Sequence, residues 1–109
     1  LTEQKQHVIL GCAAWKNRVN IEDTIFAGAV IDKIGQHFSI NCDSSQMAAA
    51  MYKEARADMF EFMKKKKASH YQRLSGYGLE KDIRYCLTED MANVPVIYEE
   101  GKLVVRKKS

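Results

Sequence analysis

Residues 8–26 read VILGCAAWKNRVNIEDTIF. Val8, Ile9 and Leu10 form a continuous apolar run that ends in small residues. A run of that kind, too short for a helix, predicts a strand over His7–Ala14 buried on both faces of a parallel sheet. Ala14 to Asn20 reads as a loop. Asn20 is a good N-cap, and Asp23 stands at the third helical position. The helix that follows carries an apolar stripe of Ala27, Ile31, Ile34 and Phe38, with Gly35 near its end. A strand leading into an amphipathic helix is half of a βαβ unit, so the expected class is α/β.

Further along, Asp43 starts a second helix, and Gln46 completes a capping-box pattern. Its stripe of Met47, Met51, Ala55, Met59 and Phe62 or Met63 predicts one helix running past residue 60. Lys64 to Lys67 suit its C-terminal end, where cations oppose the macrodipole. Ser69 caps a short helix through Leu74, which Gly76 and Gly78 end. Glu80 to Leu87 is helical again, with Ile83 and Leu87 on one face. Val94 to Tyr98 and Leu103 to Arg106 read as strands around Glu99-Glu100-Gly101, and Pro95 places the first at an edge or a strand start. The expected order is β-α-α-α-α-β-β, a small sheet with packed helices. One buried strand needs neighbours that this chain hardly supplies. The reading is therefore a single domain over residues 1–109, the C-terminal domain of a larger α/β protein whose N-terminal half is missing. The start at Leu1 rather than Met agrees with that expectation.

The 109 residues suit one domain, and 46% hydrophobic with 28% charged content suits a packed, water-facing one. The net charge of +3 permits anionic small molecules or nucleic acid without selecting either. Lys64 to Lys67 has no interleaved aromatics and belongs to no nucleic-acid motif, so it reads as a solvated helix end. Arg106 to Lys108 reads as a tail. The three cysteines, Cys12, Cys42 and Cys86, make neither a disulfide framework nor a zinc pattern, which favours a reducing, cytoplasmic setting. No apolar stretch approaches the ~20 residues that cross a bilayer.

Two groups of residues can carry chemistry. Glu22 and Asp23 sit just after the carboxyl end of the expected strand, where open α/β sheets bind ligands. Two hard carboxylates there suit Mg²⁺, and they equally suit simple helix capping. In Ser69–Leu87, SHYQRLSGYGLEKDIRYCL, Arg73 can bind an oxyanion with two parallel hydrogen bonds, and His70 lies on the same helical face. The alternative pairs Arg73 with Glu80 or Asp82 and leaves His70 solvated. Cys12 lies at a strand end, where nucleophiles occur, yet no histidine stands in register with it, and it reads as a buried small hydrophobe.

Taken together, three stretches resemble the 2-phosphosulfolactate phosphatases. GCAAWKNRVNIEDTIFAGAVI, Gly11 to Ile31, is similar to the family's strand end followed by a Glu-Asp pair and Ala-Gly. Arg73, Leu74, Gly78, Asp82 and Cys86 are similar to a later Arg-Leu, Gly, Asp and Cys pattern. NVPVIYEEGKLV, Asn93 to Val104, is similar to the family's closing Val-Pro strand and Gly turn. Ala14 stands where the family pattern has glycine nearby. The match covers the C-terminal half of such a protein.

The resemblance implies Mg²⁺-dependent hydrolysis of the phosphate ester of 2-phosphosulfolactate, a step toward coenzyme M, or of a related phosphorylated acid. It makes Glu22 and Asp23 metal-binding and catalytic candidates, and Arg73 and His70 substrate-binding candidates. The partner expected is a small phosphorylated acid, not nucleic acid or membrane. The fragment alone is expected to be inactive. The competing reading is a non-catalytic domain that forms a homodimer through exposed strand edges.

Overall fold

The computed structural model describes residues 6–89 and 95–105. Five helices precede one hairpin: α1 (Ile21–Ile34), α2 (Asp43–Ala55), α3 (Met59–Lys65), α4 (Ser69–Ser75), α5 (Glu80–Cys86), β1 (Val96–Glu99) and β2 (Lys102–Val105). This is a small α/β unit, as the sequence implied, with two differences in element order.

The first difference is the opening strand. His7–Ala14 pairs with nothing among the described residues, and Ile9 is 93% exposed. The reason is physical: a strand exists by virtue of a ladder partner, and no other described segment lies alongside to supply one. The second difference divides the long helix. α2 stops at Ala55, and the Asp58 side chain accepts a hydrogen bond from Glu61 N at 3.1 Å. Asp58 is thus the N-cap of a separate α3. A short acidic side chain that captures a nearby N–H offers the backbone an alternative to continuous helix.

α1 begins as expected. The Asn20 Oδ1 accepts from Asp23 N at 2.8 Å, and Thr24 Oγ1 donates to Asn20 O at 2.9 Å. α2 begins differently: Cys42 is its N-cap and makes no side-chain capping bond, so the box expected from Asp43 and Gln46 does not form. Its buried stripe is also displaced. Met47 is 69% exposed, while Ala48 and Tyr52 face inward together with the expected Ala55, and Met51 packs half-buried against the core. The small residues explain this. α1 and α2 approach so closely that a Cβ at Gly28 would meet Ala48 O, and would lie 2.8 Å from Tyr52 Cβ. Met47 is left outside such a crossing. Ser69 is the first residue of α4 rather than its cap, which is Ala68.

The core has two parts. Ile25, Tyr52, Ala55, Phe62, Met63 and Ala68 bring α1, α2, α3 and the start of α4 together, and Ile21 packs against them. Ala27, Ile31 and Ala48 seal the α1–α2 crossing. A hydrogen bond from Tyr52 Oη to Glu89 Oε2 at 3.0 Å, with Lys33 Nζ 3.2 Å from Glu89 Oε1, ties the end of α5 back to both helices.

The hairpin pairs Val96 with Val105 and Glu99 with Lys102. Glu100 and Gly101 both adopt positive φ, 49° and 79°. Two such residues make the tight primed turn whose twist matches antiparallel strands. Val94 and Arg106, expected at the strand ends, lie outside the described residues.

Candidate functional site

The site is built where the loop before α1 meets α4. The loop makes a tight reversal: Trp15 N donates to Arg18 O, and Arg18 N to Trp15 O, each at 3.0 Å. Lys16 and Asn17 form its tip at φ 52° and 60°. Ala14, just before it, is also left-handed at φ 65°. Asparagine tolerates this region; alanine and lysine do so under strain. Three such residues so close together persist only where surrounding contacts hold them, and strain of that kind gathers at functional sites.

Asp23 is the principal restraint. Its Oδ2 accepts hydrogen bonds from Ala14 N and from Asn20 Nδ2, both at 2.9 Å. One carboxylate therefore ties the loop to the first turn of α1. That extends the capping role the sequence suggested: Asp23 caps and also clamps.

Glu22 is placed differently. Both of its carboxylate oxygens are buried and have no hydrogen-bond partner among the described residues. A buried carboxylate in that condition is costly unless something else satisfies it. Position at the α1 N-terminus recovers only part of that cost. His70 Nε2 is a second buried polar atom without a partner. Glu22 sits in the first turn of α1 and His70 in the first turn of α4. The His70 ring meets the Trp15 ring edge-on with centroids 5.5 Å apart, while Ala68 packs in the same cluster as Ile21 and Ile25.

Arg73, one turn beyond His70, does not take the pairing with Glu80 or Asp82. Its guanidinium carbon lies 5.0 Å from the centre of the Trp15 ring. Glu80 instead accepts from Ser75 Oγ. Lys16 Nζ is 4.5 Å from the same ring centre. Trp15 and Lys16 escaped the sequence reading. The signal was present in WKNR, an aromatic with basic neighbours in the loop after the expected strand, but nothing linear connects it to Arg73.

The cysteines stand outside this junction. Cys12 is exposed, not buried, with Sγ 3.5 Å from the Asp23 carbonyl. Exposure follows from the missing ladder, since no sheet forms around it. Cys42 is exposed too, and hydrogen bonds with Ser45 and then Ser44 hold its thiol below the usual range. It lines an apolar cavity of about 1090 Å³ between residues 6–10 and the α1–α2 pair. That cavity touches neither Glu22, His70 nor Arg73.

Can these residues hold a divalent ion? Among the described residues no group of three or more His, Cys, Asp or Glu converges. Mg²⁺ does not require one. It keeps several waters and uses one or two carboxylates plus substrate phosphate. Two orphaned carboxylate oxygens on Glu22 fit that donor set.

The chain matches the 2-phosphosulpholactate phosphatase family model over residues 1–101. It belongs to that family. It is 33% identical over 96 residues to a probable 2-phosphosulfolactate phosphatase of a Synechocystis species, covering 85% of this chain and 39% of that protein. A similarly named protein of Gloeothece citriformis is 32% identical over 108 residues, 95% of this chain and 44% of the relative. One from Thermotoga petrophila is 30% identical over 105 residues, 96% and 44% respectively. The chain thus spans less than half the length of these relatives. No solved structure matches it. No helix among its described residues is long and apolar enough to cross a membrane.

Proposed function

We propose that this chain is the C-terminal part of a Mg²⁺-dependent phosphoric monoester hydrolase acting on 2-phosphosulfolactate or a related phosphorylated acid. One observation carries the reading: Glu22 holds a buried carboxylate with no hydrogen-bond partner among the described residues, and the His70 Nε2 nitrogen of α4 is likewise buried without one. In this reading Glu22 is the principal metal ligand. Asp23 stands next to it as the second acid, and its bonds to Ala14 and Asn20 fix where its own carboxylate sits. Mg²⁺, when bound, would neutralise phosphoryl oxygens and lower the pKa of a water. His70 Nε2 would donate to a phosphoryl oxygen or hold a proton there, and Arg73 would bind anionic oxygen. Positioning and electrostatics of this kind supply most of phosphoryl-transfer catalysis.

The remainder of the relative-length protein would complete the site. The unpaired segment Val8–Leu10, with Ile9 exposed, and the apolar cavity beside it support a place for it there. A strand added there would give that segment the ladder it lacks. The test is Mg²⁺-dependent phosphate release from 2-phosphosulfolactate, measured for this chain and for a relative-length protein carrying it. Activity is expected in the longer protein only, and it should fall at least a hundredfold with Glu22→Gln. Full activity in that variant would remove Glu22 from the mechanism.

A second reading, a domain that pairs copies of itself, is favoured by the hairpin. Val96, Tyr98, Leu103 and Val105 share one face of it, and all are more than half exposed. Light scattering across a concentration series tests this, and a strictly monomeric chain would eliminate it.

A further inference from the structure

The phosphoryl chemistry above uses Glu22 and His70. It leaves unexplained why basic residues gather on a single indole. Lys16 Nζ and the Arg73 guanidinium each lie over the Trp15 ring, at 4.5 and 5.0 Å from its centre. Neither has a carboxylate partner among the described residues. Cations collected at one place without a counter-charge repel one another. The indole face offsets part of that repulsion, and the left-handed loop holds Lys16 there against its own backbone preference.

We propose that Trp15, Lys16 and Arg73 form the subsite for the second anionic group of the substrate, a sulfonate or carboxylate. This rests on the phosphatase reading and deepens it. The phosphoryl group goes to Glu22 and His70, while the remote anion lies against the Trp15 platform. Lys16 supplies a point charge and Arg73 a planar fork, which together match a group with several equivalent oxygens. The subsite selects doubly anionic acids over simple phosphate esters. Binding energy at a remote group positions the reacting one, so the subsite also contributes to turnover.

Trp15 is the sole tryptophan in the chain, so selectively excited tryptophan emission reports on this site alone. Sulfolactate, malate and inorganic phosphate are titrated into the chain without Mg²⁺. Sulfolactate or malate should change the emission saturably and more tightly than phosphate. The tighter of the two assigns sulfonate or carboxylate. Lys16→Gly suits the left-handed backbone and removes the ammonium with its stem, while Arg73→Met keeps an apolar stem over the ring. Each should weaken binding about tenfold, as expected for loss of a charged hydrogen bond. Glu22→Gln should leave this titration unchanged, which separates failure of the subsite from failure of the metal reading. In the relative-length protein Lys16→Gly should raise KM for 2-phosphosulfolactate about tenfold and leave p-nitrophenyl phosphate hydrolysis unaltered. Equal affinity for phosphate and sulfolactate would overturn the assignment. So would unchanged binding in both variants, or a KM that rises equally for both substrates.

Discussion

Asp23 reaches back nine residues to accept the backbone N–H of Ala14, with Oδ2 and N 2.9 Å apart. The same oxygen takes the Asn20 amide, so one carboxylate holds both the loop and the helix start. Asp23→Ala would leave Ala14 N without its acceptor and release three strained residues. The expected loss is about 1–3 kcal/mol, since bonds to a charged acceptor lie in that range. Urea unfolding of the chain measures it. A change under 0.5 kcal/mol would show that the loop does not depend on this clamp.

Ala14 itself is held at φ 65°, a region in which glycine carries no steric penalty. Ala14→Gly removes about 1–2 kcal/mol of left-handed strain and adds about 0.5–1 kcal/mol of unfolded-state entropy. The expected result is a net gain near 1 kcal/mol, read as a higher urea midpoint. The resemblance placed a glycine near this position, and the backbone supplies a reason for one there.

How much of this was visible beforehand depends on the range of the interactions. Asn20, Asp23, Gly76, Gly78 and the Glu100-Gly101 turn act over a few residues, and their types announce their conformations. The division of α2 from α3 was also local, yet it was hidden, because Met47, Met51, Met59 and Met63 continue an apolar period straight through Asp58. The opening strand failed for the opposite reason. Val8–Leu10 has the composition of a strand, but a ladder needs a partner that the described residues do not contain. Glu22 and Arg73 were singled out by residue type. That Arg73 meets Trp15, fifty-eight positions earlier, depends on packing of α1 against α3 and α4, which no short pattern encodes.

Close packing gives a sharper expectation at Gly28. A Cβ there would lie 2.7 Å from Ala48 C and 2.8 Å from Tyr52 Cβ, and would also meet Ala48 O. Backbone cannot yield as a side-chain tip can, so α1 and α2 would have to separate. Helix propensity favours alanine by about 1 kcal/mol, and overpacking outweighs it at about 1–3 kcal/mol or more. Gly28→Ala should therefore destabilise the chain by at least about 2 kcal/mol. A neutral or stabilising result in thermal unfolding would mean that the crossing is looser than the structure has it.

The unpartnered carboxylate of Glu22 predicts opposite effects on stability and binding. Glu22→Gln keeps the shape and removes a buried charge, while giving up about 0.3–1 kcal/mol of favourable helix-end electrostatics. Without metal, the variant should be more stable than the parent by up to about 1 kcal/mol. Calorimetry should show Mg²⁺ binding to the parent and none to the variant. Identical heats in the two proteins would locate the metal elsewhere. A residue whose loss stabilises the fold while abolishing binding is kept for function rather than for the core.

Alkaline stability should depend on Tyr52. Burial, then the hydrogen bond to Glu89, then the Glu89 charge push its hydroxyl above the ordinary tyrosine value of 10.0; Asp32 acts the same way and Lys33 against it. The folded state thus holds the proton more tightly than the unfolded chain. By linkage, stability from this group is whole below the ordinary value and is lost as pH rises through the raised one. Thermal midpoints should be level with respect to this group near neutrality and fall above pH ~10. Tyr52→Phe retains the ring among Ile25, Ala55 and Met63 and removes both the ionisation and the bond to Glu89. Its midpoint should lie lower near neutrality, by a loss of about 1 kcal/mol, and decline less steeply in alkali. Parallel alkaline limbs for the two proteins would show that Tyr52 does not govern that transition, and that the tie from α5 to α1 and α2 runs through Lys33 and Glu89 instead.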